Sequence, residues 1–302
     1  MNPVRGYQTR DRSRVEAICR SAFRLTSFHT DPSFPRDAAE TAVWDLYARP
    51  ALERGTPPCL VAEDDGQVSG FLVYGGYGVL SRELGQRMAN IVLVAVDPSL
   101  QGKGIGKALV TSVMERFRNR GTGLVTVGTD AGNVPALRTY DRTGFVPVLD
   151  WTTWRRWDLC PSYSGIPAEP VYVPCGPGLL VLSSLLEDPR LADPAQRIIR
   201  HHIDQRRPFD ALAFRQEGSV CVFERQSRLS ELCRTPFYRL SSIHGSVSTD
   251  AVSAGIASLP HPREKICVEV FMKTGQTGGE ETLRRAGFRP VHRAVALHAH
   301  LY

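Results

Sequence analysis

A chain of 302 residues with 42% hydrophobic and 23% charged side chains can bury the core of one large domain or of two ordinary ones, which excludes wholesale disorder. Its formal charge of +6 suits a nucleic-acid binder, a membrane-surface protein or an enzyme for a polyanionic small molecule; the arginines are scattered rather than massed, so charge alone ranks none of these. The 7 cysteines are odd in number and form no CxxC pair, which fits reduced thiols, and no apolar run approaches the ~18 residues that cross a bilayer, so a cytoplasmic protein is expected.

In chain order, residues 4–10 (VRGYQTR) read as a short strand, followed by a helix with Val15, Ile18, Cys19 and Ala22 inward and Asp11 as its N-cap. FHTDPSFPRD is a turn-rich loop, and DAAETAVWDLYARPAL is a helix that Pro50 should end. Two β-rich runs around Asp65-Gly66 form a hairpin. GGYG, beside Tyr74 and Tyr77, reads as a loop or a lid over substrate. An apolar strand from Ile91 then runs into a loop with Gly102, Gly104 and Gly106 and a helix whose Ile105, Leu109, Val113 and Phe117 point inward. GLVTVGT is a strand, NVPALRTYDRTGF a helix closed by Gly144, and TTWRRWDLC a final strand.

Residues 161–178, rich in proline and glycine, read as a linker. Beyond it come a helix (PAQRIIRHHIDQ), two strands (FDALAFRQ and GSVCVFERQ), a strand-helix unit from Phe237, and strand, helix and strand to the end. That order repeats the first half. Subtracting Gly144 from Gly287 gives an offset of 143, and under it Val125, Val127, Gly132, Arg142, Phe145, Pro147 and Val148 meet Val268, Val270, Gly275, Arg285, Phe288, Pro290 and Val291 without a gap. Duplication explains so many identities in so short a window.

The glycine loop fits neither common nucleotide pattern. A P-loop needs a glycine where Gln101 stands and a hydroxyl where Ala108 stands; a dinucleotide fingerprint needs a glycine at Lys107 or Leu109. Glycines at alternate positions strip Cβ from a ribbon of backbone at a helix N-terminus, where N–H groups, the helix dipole, Lys103 and Lys107 favour an anion, most naturally a diphosphate.

VAVDPSLQGKGIGKAL resembles the acyl-coenzyme A motif Q/R-x-x-G-x-G/A of the GNAT superfamily of N-acyltransferases, filled by Gln101, Gly104 and Gly106; NVPALRTYDRTGF resembles a later motif of that superfamily. The resemblance implies a mixed-sheet α/β fold in tandem: an acetyltransferase domain over residues 1–160, the linker, and a degenerate copy over 179–302. It further implies that Val94, Ala95 and Val96 pair with pantetheine, that Gln101, Gly102, Lys103, Gly104, Ile105, Gly106 and Lys107 hold the pyrophosphate, and that Asn133 contacts the cofactor arm unless it is only a helix cap. Tyr140 would protonate the departing thiolate. Acetyl-CoA is then the co-substrate and a primary amine, of a small molecule in the first instance, the acceptor. A protein terminus or lysine, and a non-catalytic acyl-CoA-binding module, are the alternatives. No metal, nucleic acid or membrane is expected; a homodimer is compatible.

The pattern has gaps. Superfamily members of the histone type carry a glutamate base where this chain has Asn90, so the base is sought at His29, Asp31, Glu63 or Asp130, or in a water chain. Under the repeat offset Tyr140 falls on Leu283 and Asn133 on Gln276, and the second half lacks the glycine loop, so its role would be packing, dimerisation or one wall of the cleft. His298 and His300 share a strand face, but with His201 and His202 they lack the spacing of a metal site; Trp151, Trp154 and Trp157 read as sheet core or interface before substrate wall.

Overall fold

The structure is a computed structural model and describes residues 3–23, 26–53, 58–159, 169–171, 211–216, 219–244, 248–259 and 265–301. The helix expected over PAQRIIRHHIDQ, with His201 and His202, lies outside them. Two compact units emerge: Met1–Thr30, Phe34–Leu149 and Ala294–Tyr302 make the first, Asp31–Ser33 and Asp150–Arg293 the second.

The first unit opens with β1 (Val4–Gly6) and α1 (Arg12–Ala22), which buries Val15, Ile18 and Cys19. Asp11 does not cap α1 with its side chain as expected: a 3-10 turn, Thr9–Asp11, precedes the helix, and the Asp11 carboxylate accepts the Gln8 N–H at 2.8 Å and both Nη atoms of Arg5. After α2 (Ser27–Thr30) and α3 (Arg36–Val43), a π-turn over Trp44–Ala48 leads into α4 (Arg49–Leu52), so Pro50 opens a helical turn instead of ending one. In a first turn its missing N–H leaves nothing unsatisfied.

The hairpin of β2 (Cys59–Asp64) and β3 (Gln67–Gly76) turns at Asp65 and Gly66, both at positive φ. The GGYG stretch is not the loop expected: Tyr74–Gly76 extend β3, and α5 (Gly78–Glu83) follows. Next come β4 (Arg87–Val96), α6 (Ile105–Asn119), β5 (Thr122–Asp130) and α7 (Val134–Asp141), with the strands in the order β1-β2-β3-β4-β5. Beneath α6, Ile105, Leu109, Val110, Val113 and Phe117 pack with Leu72, Ala89, Ile91, Val125 and Val127. Gly70 on β3 permits that approach, because a Cβ there would lie 2.9 Å from the Ala95 carbonyl oxygen and 3.0 Å from Ile105 Cγ2.

The second unit repeats this plan. After β6 (Val146–Leu159) come β7 (Glu169–Val171), β8 (Ala211–Gln216), β9 (Ser219–Arg225), α8 (Ser227–Cys233), β10 (Phe237–His244), α9 (Thr249–Ala257), β11 (Lys265–Lys273), α10 (Thr277–Arg285) and β12 (Arg289–His300). β7 is an edge strand drawn from the stretch read as linker; Pro170 suits an edge, and three residues are too few to show a period. The bounds of β11 are those of β5 shifted by 143, and the turns at Gly144 and Gly287 match, with φ of 90° and 81°.

Each sheet is completed by the last strand of the other half. β12 pairs antiparallel with β5, from Ala294↔Asp130 to His300↔Leu124, and β6 pairs with β11 from Trp151↔Lys273 to Leu159↔Lys265. The registers are equivalent under the offset: adding 143 to Trp151 and subtracting it from Lys273 yields Ala294 and Asp130. Hence Asp150–Leu159, placed in the first domain by chain order, belong to the second unit, and the C-terminal residues belong to the first. Buried charge favours this pairing. Arg155 on β6 makes two bonds to Glu269 of β11, at 2.9 and 2.7 Å, both side chains being almost wholly buried. In the unexchanged arrangement Arg155 would lie beside Thr126 and Glu269 would keep Arg239 alone, an outcome that burial makes costly.

Candidate active site

β4 is paired on both sides over only part of its length. Against β5 it runs in parallel from Met88↔Leu124 through Ala89↔Val125 and Asn90↔Thr126 to Ile91↔Val127, where pairing stops, while β5 continues beside β12 to Asp130. Against β3 it continues to Val96 but skips Val92, which bulges out between Ile91 and Leu93. The bulge shifts the alternation: Ala89 and Ile91 face the α6 side before it, Val94 and Val96 after it. β4 and β5 therefore part beyond Ile91 and Val127, and among the described residues no strand pairs with Val94, Ala95 and Val96 on that side.

A loop from the end of β4 leads into α6. Asp97 accepts from the Ser99 N–H at 2.9 Å and shapes a 3-10 turn, Pro98–Leu100; the Gln101 amide reaches back to the Val96 carbonyl at 3.4 Å. Gly102 and Gly104 sit at φ of 84° and 81°, the left-handed region, whereas Gly106 is helical and a Cβ there would meet Val96 Cγ2 at an ordinary 3.7 Å. The helix N-cap is Gly104, which offers no side chain, so the N–H groups of Ile105, Gly106 and Lys107 face outward at the positive end of the dipole. Gln101, Gly102, Lys103, Gly104 and Lys107 are exposed.

On α7, Asn133 is the N-cap and accepts from the Ala136 N–H at 3.2 Å, so its side chain has the capping role weighed as the alternative to a ligand contact. Tyr140 is buried in the cluster beneath α6 and lies 5.5 Å, ring to ring, from Phe145. Burial pushes its phenol well above the ordinary value, so it is a proton donor at neutral pH.

The candidate bases are engaged. Glu63 takes Arg5 at 2.6 Å, Asp130 takes the Gly132 N–H at 2.6 Å, and His29 bonds Thr26 at 3.0 Å. Asp31 belongs to the second unit, where it accepts from Trp157 Nε1 at 2.9 Å and from Arg155 at 3.3 Å. Asn90 leans on Gly75, whose absent Cβ would lie 2.8 Å from its Oδ1. Trp154 is core of the second unit.

In that unit the strand geometry recurs and the loop does not. β10 runs parallel to β11 from Phe237↔Cys267 to Leu240↔Val270 and bulges immediately after, as β4 does at Val92. Between Val96 and Ile105 stand eight residues, 97–104; between His244 and Thr249 stand four, 245–248. Ser248 caps α9 with its own Oγ, 3.0 Å from the Ala251 N–H, where α6 has a glycine.

Residues 23–145 match the model of the Acetyltransferase (GNAT) family. This stretch is a GNAT acetyltransferase domain. The spore coat polysaccharide biosynthesis protein SpsD of Bacillus subtilis is 31% identical over 47% of this chain and 47% of its own, and the mycothiol acetyltransferase of Cellulomonas flavigena is 38% identical over 28% of this chain and 26% of its own. The chain thus spans less than half the length of these relatives. A GCN5-related N-acetyltransferase from Sphaerobacter thermophilus shares the fold, with a TM-score of 0.53 at 15% identity over 99% of this chain and 95% of that one. The GNAT domain holds two features without a sequence signal: the Val92 bulge and the contribution of β12. Gly70 had one, a glycine inside an apolar strand.

Proposed function

We propose that the chain is an acetyl-CoA-dependent N-acetyltransferase whose acceptor is the primary amine of a small molecule. The observation that carries this reading is the parted β4–β5 edge running directly into the glycine-capped N-terminus of α6. A strand edge of Val94–Val96 suits the amide-rich pantetheine arm, and the N–H groups and lysines of Gln101–Lys107 suit a diphosphate. The relatives whose names mention mycothiol and a coat polysaccharide favour a small acceptor.

In this reading a neutral amine attacks the thioester carbonyl, a strand N–H steadies the developing oxyanion, and Tyr140 protonates the departing thiolate. Burial keeps Tyr140 protonated at neutral pH; in water a thiolate is the weaker base, so the transfer requires that the same burial raise the basicity of the departing sulfur. Among the described residues the second unit has a self-capped helix, with Ser248 Oγ on the Ala251 N–H, where the first has a glycine, which favours one acetyl-CoA per chain.

Release of free thiol from acetyl-CoA with a panel of amines tests the reading; binding without release would leave an acyl-CoA-binding module in its place. Tyr140→Phe should lower kcat by about 100-fold or more with acetyl-CoA affinity nearly kept. Unchanged turnover in that variant removes Tyr140 from the mechanism.

A further inference from the structure

The exchanged strand brings a histidine into the first unit's sheet. Thr126 of β5 is flanked in register by Asn90 of β4 and by His298 of β12. Their chain neighbours Ala89, Ile91, Val125, Val127, Leu297 and Ala299 all belong to the cluster under α6 and α7, so alternation turns Asn90, Thr126 and His298 to the opposite face. Tyr140 approaches the sheet from one side and this polar row lies on the other.

The row is the last before the sheet parts. Pairing of β4 with β5 ends one residue later, at Ile91↔Val127, and the next residue of β5 on the row's face is Gly128, exposed and opposite Ala296. Beside Thr126 and His298 that face therefore carries only a hydrogen and a methyl group. The Tyr77 side chain bonds Thr126, and His300 lies two residues along β12 on the same face. Thr126 and His298 are both buried.

The second unit carries the corresponding row as Arg239, Glu269 and Arg155, closed by ion pairs of 3.0 and 2.7 Å. Where that row is locked by charge, the first unit's is built of an amide, a hydroxyl and an imidazole. Of these three groups only the imidazole is a base.

We propose that His298, supplied by the C-terminal strand, is the proton sink for the acceptor amine, acting through the Thr126 hydroxyl. This inference rests on the acetyltransferase reading above. Strands lie about 4.8 Å apart, so the backbones of His298 and Asn90 are separated by roughly 10 Å, and His298 serves by relay, not by touching the amine. The ammonium passes one proton along the relay to the imidazole; the neutral amine then forms its C–N bond to the carbonyl, and the C–S bond breaks. The thiolate takes the Tyr140 proton, the new amide nitrogen returns its extra proton to the tyrosinate through water, and the imidazolium releases its proton to solvent. The sum is ammonium plus thioester giving amide, thiol and one proton.

The test follows kcat for an amine turned over by the wild-type chain, with acetyl-CoA affinity from calorimetry. His298→Gln should lower kcat by about 100-fold and leave the acetyl-CoA Kd within about twofold. Added imidazole should restore part of the rate, and so should Asn90→Glu in the same chain, which returns a base to the row from its other end. Wild-type kcat in His298→Gln, or a loss that neither measure restores while acetyl-CoA still binds, overturns the proposal. Should His298→Gln fail to fold, Thr126→Val keeps the volume and cuts the relay; a fall in kcat supports the proposal and wild-type kcat overturns it. A wild-type chain that acetylates no amine sinks the acetyltransferase reading and this inference together, whereas the other failures sink this inference alone.

Discussion

Two of the three loop glycines are needed for backbone shape and the third is not. Gly102 and Gly104 hold φ of 84° and 81°, where an L side chain costs roughly 1–2 kcal/mol, while a methyl at Gly106 meets nothing closer than 3.7 Å. Gly104→Val should lower stability by about that amount, more for a β-branched side chain, and weaken acetyl-CoA binding; Gly106→Ala should leave stability unchanged. Thermal unfolding with calorimetric titration separates these effects, and normal acetyl-CoA affinity in Gly104→Val would contradict the assignment of the loop. The buried thiols agree with the reduced state expected from cysteine count: burial pushes Cys19 and Cys59 up to about 12 and Cys221 up to about 11, which leaves them protonated and inert at neutral pH.

Among the elements, β6 is held to β11 by a buried ion pair, Arg155 to Glu269. Burial pushes the Glu269 carboxyl up, but Arg155 and Arg239 outweigh it and hold the group below its ordinary range. A folded value below the unfolded one means that the ionised carboxylate stabilises the fold above the usual carboxylate range, and that this contribution is lost as pH falls through the folded value. Arg155→Ala leaves a buried carboxylate short of its main partner and should cost about 3–5 kcal/mol, whereas Arg155→Leu with Glu269→Leu should recover much of that loss. Denaturant melts of the single and double variants decide it; a single variant as stable as the parent would mean that something else directs the exchange. The bulge after Ile91 and its counterpart after Leu240 show a second lesson at this scale: one extra residue ends a strand pairing and turns the following side chains over.

For the whole molecule, the exchange makes each half dependent on the other. A chain cut at residue 160 lacks β12, so β5 loses its partner from Leu124 to Asp130 and either exposes an edge or recruits β6, which brings Arg155 beside Thr126 instead of Glu269. Such a fragment should associate or melt well below the full chain, and light scattering with thermal unfolding tells the outcomes apart; a monomer of parental stability would show that the exchange is dispensable. Residues 179–302 alone lack β6 and should fare likewise.

The sequence by itself determined whatever is local. The α6 stripe from Ile105 to Phe117, the Asp65-Gly66 turn, the Gly144 helix stop and the repeat offset all follow from side-chain period or from φ, which a few neighbouring residues set. The residues marked from the loop motif, Val94–Val96 and Gln101–Lys107, are contiguous in chain and so are neighbours in any fold. What only the tertiary structure decided is non-local: where β4 leaves β5, which carboxylates are already held by arginines, and which half finishes which sheet. Boundaries at 160 and 179 follow the repeat along the chain, but a duplicated sequence offers two end strands of the same pattern to two sheets of the same pattern. Periodicity cannot choose between them. The burial of Arg155 against Glu269 favours the exchange found, and the exchange places His298, near the end of the chain, in the row where the sheet of the first unit begins to open.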